Sequence, residues 1–125
     1  MVLGKLTYVM ERCESICDKV IKIDPRIRFV VAVTDNGRPL TSRTREGLVS
    51  MVDEKESEVV LTEAALIARM HRDFDTKLGK VNYVLIERQK IALLIFSLGV
   101  DILYVSCDLG SNLSKLATKI AAEIS

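Results

Sequence analysis

The chain has 125 residues, which is enough for one domain with a single hydrophobic core and too few for two. A formal net charge of +1 gives it no overall electrostatic preference for nucleic acid or for an anionic membrane. Hydrophobic residues make up 49% of the chain and charged residues 28%, which is typical of a globular protein and argues against disorder. We therefore expect residues 1–125 to form a single domain.

The first predicted element is an amphipathic helix that ends at Asp24–Pro25, because the residue before a proline is disfavoured in the helical conformation. Its apolar face comprises Leu6, Val9, Cys13, Ile16, Cys17 and Val20. Cys13 and Cys17 lie one helical turn apart, a spacing at which two thiols can face one metal ion. Because both also belong to the apolar face, we interpret them as reduced core residues and predict no metal site.

A β-hairpin follows this helix. Residues Ile27–Thr34 contain an unbroken apolar run, which indicates a strand covered on both faces. The dipeptide Asn36–Gly37 predicts a two-residue type I′ turn, since that turn needs a positive φ at both central residues. The return strand, roughly Pro39–Arg43, is short and polar, as expected at the edge of a sheet.

Arginines cluster around the hairpin, at Arg26, Arg28, Arg38, Arg43 and Arg45. Such a basic patch can bind RNA or an acidic protein. The exposed aromatic residues that would stack on bases are missing from this region. We therefore interpret the arginines as a solvated edge that discourages strand pairing, and we predict no nucleic-acid partner.

A long middle helix is predicted from about Glu58 to Lys77, with Ser57 as its N-cap, after a connection over residues 44–56. This helix is apolar over more than one stripe, whereas a helix that lies on one sheet needs a stripe of roughly 100°. Either a symmetric partner helix buries the excess, or the segment Leu48–Val52 covers it within one chain. We favour the partner helix, and so predict a homodimer.

Three further strands are predicted at Val81–Glu87, Ile91–Ser97 and Ile102–Cys107, followed by a closing helix from Leu113. The connections between these strands are too short for helical crossovers, which predicts an antiparallel meander. The element order α-β-β-α-β-β-β-α then gives an α+β fold, in which a five-stranded antiparallel sheet is sandwiched between helices.

The most apolar stretch of the chain, Ile91–Cys107, is too short for a spanning helix and is interrupted by Gly99 and Asp101. We predict no membrane insertion. The N-terminal residues show no signal-peptide pattern, and we expect a cytoplasmic protein.

The element order, together with the hairpin sequence VVAVTDNGRPL from Val30 to Leu40, resembles the roadblock/dynein light chain family and its profilin/longin-like fold. The resemblance covers roughly residues 4–124, and the sequence is similar in character to archaeal members. Two features depart from the family pattern. The connection over residues 44–56 is longer than is typical, and the patch Arg69–Asp73 matches no family motif.

The resemblance implies a non-catalytic scaffold. Members of the family form dimers in which the middle helices pair and the sheets join edge to edge. Some members regulate or hold small GTPases, and others attach cargo to motors. For this chain it implies a homodimeric adaptor without a cofactor, whose partner is a small GTPase or a signalling or motility complex.

We predict that the dimer interface comprises Leu61, Ala64, Ala65, Ala68, Met70 and Tyr83. The predicted contacts to another partner are Arg69 and Arg72.

Catalytic residues are not evident, because the chain has one histidine, no nucleophile–base pair and no cofactor motif. We therefore predict that the protein is not an enzyme. An alternative function is a profilin-like small-molecule sensor, which would hold a ligand between the sheet and a helix. The polar candidates for such a pocket are Tyr83, Tyr104 and Ser106.

Overall fold

A computed structural model describes residues 2–124 of the chain, with side chains described from Thr7 onward. The predicted position of Leu6 on the apolar face of the first helix lies outside the described side chains. The helices of the described part are α1 (Val2–Ile21), α2 (Glu54–Arg72), α3 (Asp75–Leu78) and α4 (Leu113–Ile124). Its strands are β1 (Ile27–Val33), β2 (Pro39–Thr44), β3 (Val84–Glu87), β4 (Ile91–Leu98) and β5 (Asp101–Asp108).

The strands within residues 2–124 form one sheet in the order β2-β1-β5-β4-β3, and every neighbouring pair is antiparallel. This confirms the predicted five-stranded antiparallel sheet between helices. The last three strands form the predicted meander, in which β4 lies between β3 and β5. The two edges of the sheet are β2 and β3.

One face of the sheet packs against α1 and α4. The core on this side includes Cys13, Cys17 and Cys107, of which the most exposed is Cys13 at 4%. Burial raises the pKa of all three thiols, and that of Cys17 to about 11, so each keeps its proton at neutral pH. The interpretation of Cys13 and Cys17 as core residues is confirmed.

The opposite face of the sheet packs against α2. Its buried side chains are Val31, Val33, Ile95, Ile102 and Tyr104 from the sheet, and Leu61, Ala64 and Ala65 from the helix. The two alanines bring the axis of α2 close to β4 and β5, since a methyl group is the whole side chain there. The central strands β4 and β5 are thus apolar on both faces, as predicted.

The turn of the first hairpin differs from the predicted one. The carbonyl of Thr34 accepts the N–H of Gly37 at 2.9 Å, and Gly37 has a φ of 87°, whereas Asn36 does not have a positive φ. A type I′ turn needs a positive φ at both positions, so that prediction is wrong. The turn packs against α2 so closely that a Cβ on Gly37 would lie 2.7 Å from the Cα of Thr62. This tertiary contact, which no local pattern shows, explains why glycine is required here.

The middle helix begins one turn earlier than predicted and ends earlier. The side chain of Asp53 accepts the N–H of Glu56 at 2.8 Å, and the side chain of Glu56 accepts the N–H of Asp53 at 3.0 Å. This capping box makes Asp53 the N-cap and places Ser57, the predicted cap, inside the helix. After Arg72 the chain forms the separate short helix α3, so the predicted continuous helix to Lys77 is also wrong.

Candidate functional site

A second apolar surface of α2 lies on the side opposite the sheet. Val59, Leu66 and Met70 are 66%, 53% and 61% exposed, and spacings of seven and four residues place them on one line along the helix. Phe74 and Leu78, which follow in the chain, are also exposed. We call these five residues the outer stripe. No segment within residues 2–124 covers it.

The connection between β2 and α2 does not hide this surface. Val49, Met51 and Val52 of the connection are themselves exposed. The connection reaches only the first turns of α2, where Leu48 and Val60 line the same cavity. The alternative in which Leu48–Val52 buries the excess apolar surface within one chain is therefore wrong, and that surface remains open to a partner.

The residues predicted for the dimer interface do not form one surface. Leu61, Ala64 and Ala65 are buried against the chain's own sheet, and Ala68 is half-buried on the same side. Tyr83 packs on the other side of the sheet, with its ring centroid 6.3 Å from that of Phe96.

Of the six predicted residues, Met70 is the one that faces away from the sheet with its side chain exposed. The prediction therefore needs correction. The helix is apolar on two sides, and the prediction named mainly the residues on the side that packs against the chain's own sheet. The periodicity of the sequence does not tell these two stripes apart. The spacing of Val59, Leu66 and Met70 shows that a second apolar line exists, but only the packing of α2 shows that this line faces away from the sheet.

The two arginines predicted to contact a partner have different surroundings. Arg72 donates hydrogen bonds to the carbonyls of Gly99, Val100 and Asp101, at 3.1, 2.8 and 3.1 Å. It therefore fixes the turn between β4 and β5 to the end of α2, and we now interpret it as a structural residue. Arg69 is exposed, and its contact with a partner stays a prediction.

The edge strand β3 is a second place where another chain can dock. β3 is the last strand of the sheet, and in the described part of the chain no further strand pairs with the backbone N–H and C=O groups on its outer side. Its side chains Val84, Leu85 and Ile86 are half-buried, with Val84 on the α2 side of the sheet. The other edge, β2, is polar and is packed against α1.

The arginine cluster at the hairpin is largely neutralised. Arg26 pairs with Asp24 at 3.1 Å, and Arg43 pairs with Asp18 at 2.6 Å. Asp108 receives both Arg28 and Arg45, at 3.2 and 2.7 Å, and these hydrogen bonds, led by the one from Arg45, lower the pKa of its carboxyl. These ion pairs hold four of the five arginines, and both the solvated edge that discourages strand pairing and the absence of a nucleic-acid partner stay predictions.

A cavity of about 310 Å³ lies where α2 begins, between the first turns of the helix, the β2–α2 connection and the sheet. Its floor includes Phe29, Ser106 and Leu93, which are register partners across β1, β5 and β4. The remaining apolar lining residues are Leu48, Met51, Val52, Val60, Leu61 and Ile91. Phe29 and Leu93 are only half-buried, so the helix leaves this part of the sheet incompletely covered.

The polar groups of the cavity include two buried hydroxyls, since Tyr104 and Ser106 are 3% and 2% exposed. Within residues 2–124 neither hydroxyl makes a hydrogen bond. In the same part of the chain, every side-chain oxygen or nitrogen that is fully enclosed does have a hydrogen-bond partner, so these two oxygens are not fully enclosed. Both hydroxyls therefore reach the open space of the cavity. Burial, and then the charge of Glu63, raise the pKa of Tyr104 to about 12, although Arg88 opposes this, so the phenol is a hydrogen-bond donor at neutral pH.

Two of the three polar residues predicted for a ligand pocket, Tyr104 and Ser106, are therefore together in one cavity, whereas Tyr83 does not line it. Arg28, which was predicted only as part of the arginine cluster, also lines the cavity and is 8% exposed. An arginine inside an otherwise apolar strand is the signal that would have found it.

Comparison with known proteins assigns the chain to a family. Residues 7–125 match the model of a family of unknown function, DUF6659. The chain belongs to this family. Curated proteins include no match to the sequence.

Solved structures show the fold of this DUF6659 chain at low sequence identity. The gliding protein MglB from Thermus thermophilus aligns at 16% identity with a TM-score of 0.69, over 91% of this chain and 85% of that one. A Roadblock/LC7 domain from Streptomyces avermitilis aligns at 14% identity and 0.66, over 87% and 88%. An MglB structure with a tetrameric arrangement aligns at 14% identity and 0.66, over 91% and 88%. These matches confirm the predicted roadblock-like fold.

Membrane insertion is not indicated by the helices of the DUF6659 chain. Among the described residues, no helix combines the length and the apolar character that crossing a bilayer requires.

Proposed function

We propose that this protein is a non-catalytic, single-domain adaptor that works as a homodimer, formed through the outer stripe of α2 and the edge strand β3. The observation that carries this proposal is the exposure of Val59, Leu66 and Met70 along one line of α2. An apolar ridge of this length on a globular domain is typical of an interaction surface. Pairing of two such ridges about a two-fold axis buries both at once.

The roadblock-like fold supports the same proposal. A solved protein with this fold is a gliding protein, and one MglB structure has a tetrameric arrangement, so domains of this shape do assemble with one another. We propose a small GTPase, or a component of a signalling or motility complex, as the further partner, and the cytoplasm as the location. The exposed Arg69 beside the stripe is our candidate for a contact with that partner.

Sedimentation velocity at micromolar concentration tests the dimer. We expect the wild-type chain to sediment as a dimer and both Leu66→Lys and Met70→Lys to sediment as monomers, because each substitution brings two ammonium groups together across the two-fold axis. Tyr8→Lys is the matched control, since Tyr8 is 68% exposed but lies on α1, which packs against the opposite face of the sheet. A monomeric wild type contradicts the proposal.

Titration with purified small GTPases from the same organism tests the partner. Each GTPase is loaded with GDP or with a non-hydrolysable GTP analogue and added to the labelled wild-type chain or to Arg69→Gln. We expect one GTPase to bind the wild type in a nucleotide-dependent way and to bind the variant more weakly. If none binds, the GTPase part of the proposal is wrong, whatever the oligomeric state.

A second candidate function is the small-molecule sensor. The specific observation in its favour is the cavity at the start of α2, with the hydroxyls of Tyr104 and Ser106 directed into it. A sheet-and-helix domain that held no ligand would gain stability by filling this space with apolar side chains.

A further inference from the structure

The two hydroxyls of the cavity have no structural explanation within the described chain. Because both hydroxyls reach the open space of the cavity, solvent can bind them in the free protein, and a ligand that fills the cavity must replace those hydrogen bonds. Tyr104 and Ser106 both lie on β5, two residues apart, and so face the same side of the sheet. Two such groups directed into one open space indicate a ligand that accepts hydrogen bonds from both of them.

The charges around the cavity indicate the sign of that ligand. Arg28 gives one hydrogen bond from Nη1 to Asp108 and one from Nη2 to the carbonyl of Val49, each 3.2 Å long. A guanidinium has five N–H donors, so three of those of Arg28 remain for another acceptor. Arg88, also at the cavity, makes no ion pair within the described residues. Asp108 is shared between Arg28 and Arg45, so three arginines in or beside the cavity face two carboxylates, those of Asp108 and Glu63, and the surplus charge is positive.

The lining also indicates the body of the ligand. Apart from the groups above and two serines, Ser50 and Ser57, the walls are aliphatic or aromatic side chains. A dry cavity of about 150 Å³ is known to hold benzene. A cavity of about 310 Å³ therefore has room for a ligand about twice that size.

We propose that the cavity at the start of α2 binds a small carboxylic acid with an apolar body, such as an eight-carbon fatty acid. The carboxylate accepts hydrogen bonds from the hydroxyls of Tyr104 and Ser106 and from the free donors of Arg28. The apolar body lies between the sheet and the β2–α2 connection, against Phe29 and Leu93. A carboxylate suits this set because it only accepts hydrogen bonds, and all three protein groups donate them.

This ligand site deepens the second candidate function and does not depend on dimer formation. If the carboxylate class is wrong but the sensor function is right, a neutral ligand will bind in the same cavity. If both are wrong, nothing will bind there. The experiment therefore compares ligands that have the same chain and different head groups.

Isothermal titration calorimetry and amide chemical-shift mapping on the full chain test the proposal with three probes, octanoate, octanol and octylammonium. We expect octanoate to bind at one site per chain and at least about 10-fold more tightly than octanol or octylammonium, as hydrogen bonds to a charged group imply. The amide shifts should centre on β5 near Tyr104 and Ser106 and on the connection near Met51.

Variants separate the cavity from non-specific binding. Tyr104→Phe and Ser106→Ala should each weaken octanoate about 10-fold, while Ser42→Ala, on the exposed side of β2, should leave it unchanged. A thermal melt and an amide spectrum of each variant establish that it is folded. The proposal is overturned if octanol binds as tightly as octanoate, if the two cavity variants bind like the control, or if the shifts centre on the outer stripe.

Discussion

The two faces of the sheet are packed to different degrees. On the side of α1 and α4, two helices cover the sheet, and large side chains such as Leu94 and Leu103 are 0% exposed. On the other side one helix with two inward alanines leaves Phe29 and Leu93 half-buried and a cavity beside them. The first face stabilises the fold. The second face is incomplete, and both candidate sites, the outer stripe and the cavity, are on that side.

Adjacent leucines of β4 provide the strongest test of this difference. Leu94 faces α1 and α4, and Leu93 faces the cavity. We expect Leu94→Ala to lower the free energy of unfolding by about 2–5 kcal/mol, because it opens a void in a closed core. Leu93→Ala should cost only about 1 kcal/mol, since its side chain is half-exposed already and borders open space. Urea denaturation measures both.

The same leucine pair has a built-in control, because the substitution and the strand are identical and only the face differs. The protein concentration must be kept constant, since a dimer gains apparent stability with concentration. Equal losses for the two variants would mean that a partner or a ligand completes the second face under the conditions used.

The glycine of the hairpin turn tests how α2 is held on the second face. Gly37→Ala should lower the free energy of unfolding by about 1–3 kcal/mol from its positive φ alone, and by more through the clash with the backbone of Thr62. Gly47→Ala is the matched control, because Gly47 has a φ of 75° but nothing within 4 Å of an added Cβ. If the two alanine variants unfold at the same urea concentration, the close contact between the hairpin and α2 does not exist in solution.

The architecture could be predicted from the sequence because apolar periodicity and short connections determine it. The run Ile27–Val33, the meander and the amphipathic closing helix each follow from local pattern and chain length. The errors occurred where a tertiary or side-chain contact decided the outcome. Thr62 determines the turn geometry at Gly37, and the hydrogen bonds between Asp53 and Glu56 determine where α2 begins.

The candidate sites were harder to predict, for a related reason. A helix that is apolar on both sides gives no indication of which side meets the sheet, so Leu61 and Ala64 were assigned to the interface in place of Val59 and Leu66. Tyr104 and Ser106 were predicted pocket residues only because they are among the few polar side chains of the predicted meander. The depth of the cavity depends on how far α2 extends along the sheet, and no local pattern contains that distance.

The smallest expected effect is the most informative about the cavity. A buried tyrosine whose hydroxyl is hydrogen-bonded loses roughly 1 kcal/mol of stability when it is replaced by phenylalanine. In the free protein we expect Tyr104→Phe to change the free energy of unfolding by no more than about 0.5 kcal/mol, because the hydroxyl has no partner to lose. Asp53→Ala, which removes the hydrogen bond from the N–H of Glu56 to the N-cap carboxylate, should cost about 1 kcal/mol under the same conditions.

A loss at Tyr104 as large as that at Asp53 would show that the hydroxyl is already hydrogen-bonded within the protein. The cavity would then lack the unpaired donor from which we inferred a carboxylate, whereas an unchanged stability combined with weaker octanoate binding would place the function of this hydroxyl in the ligand alone.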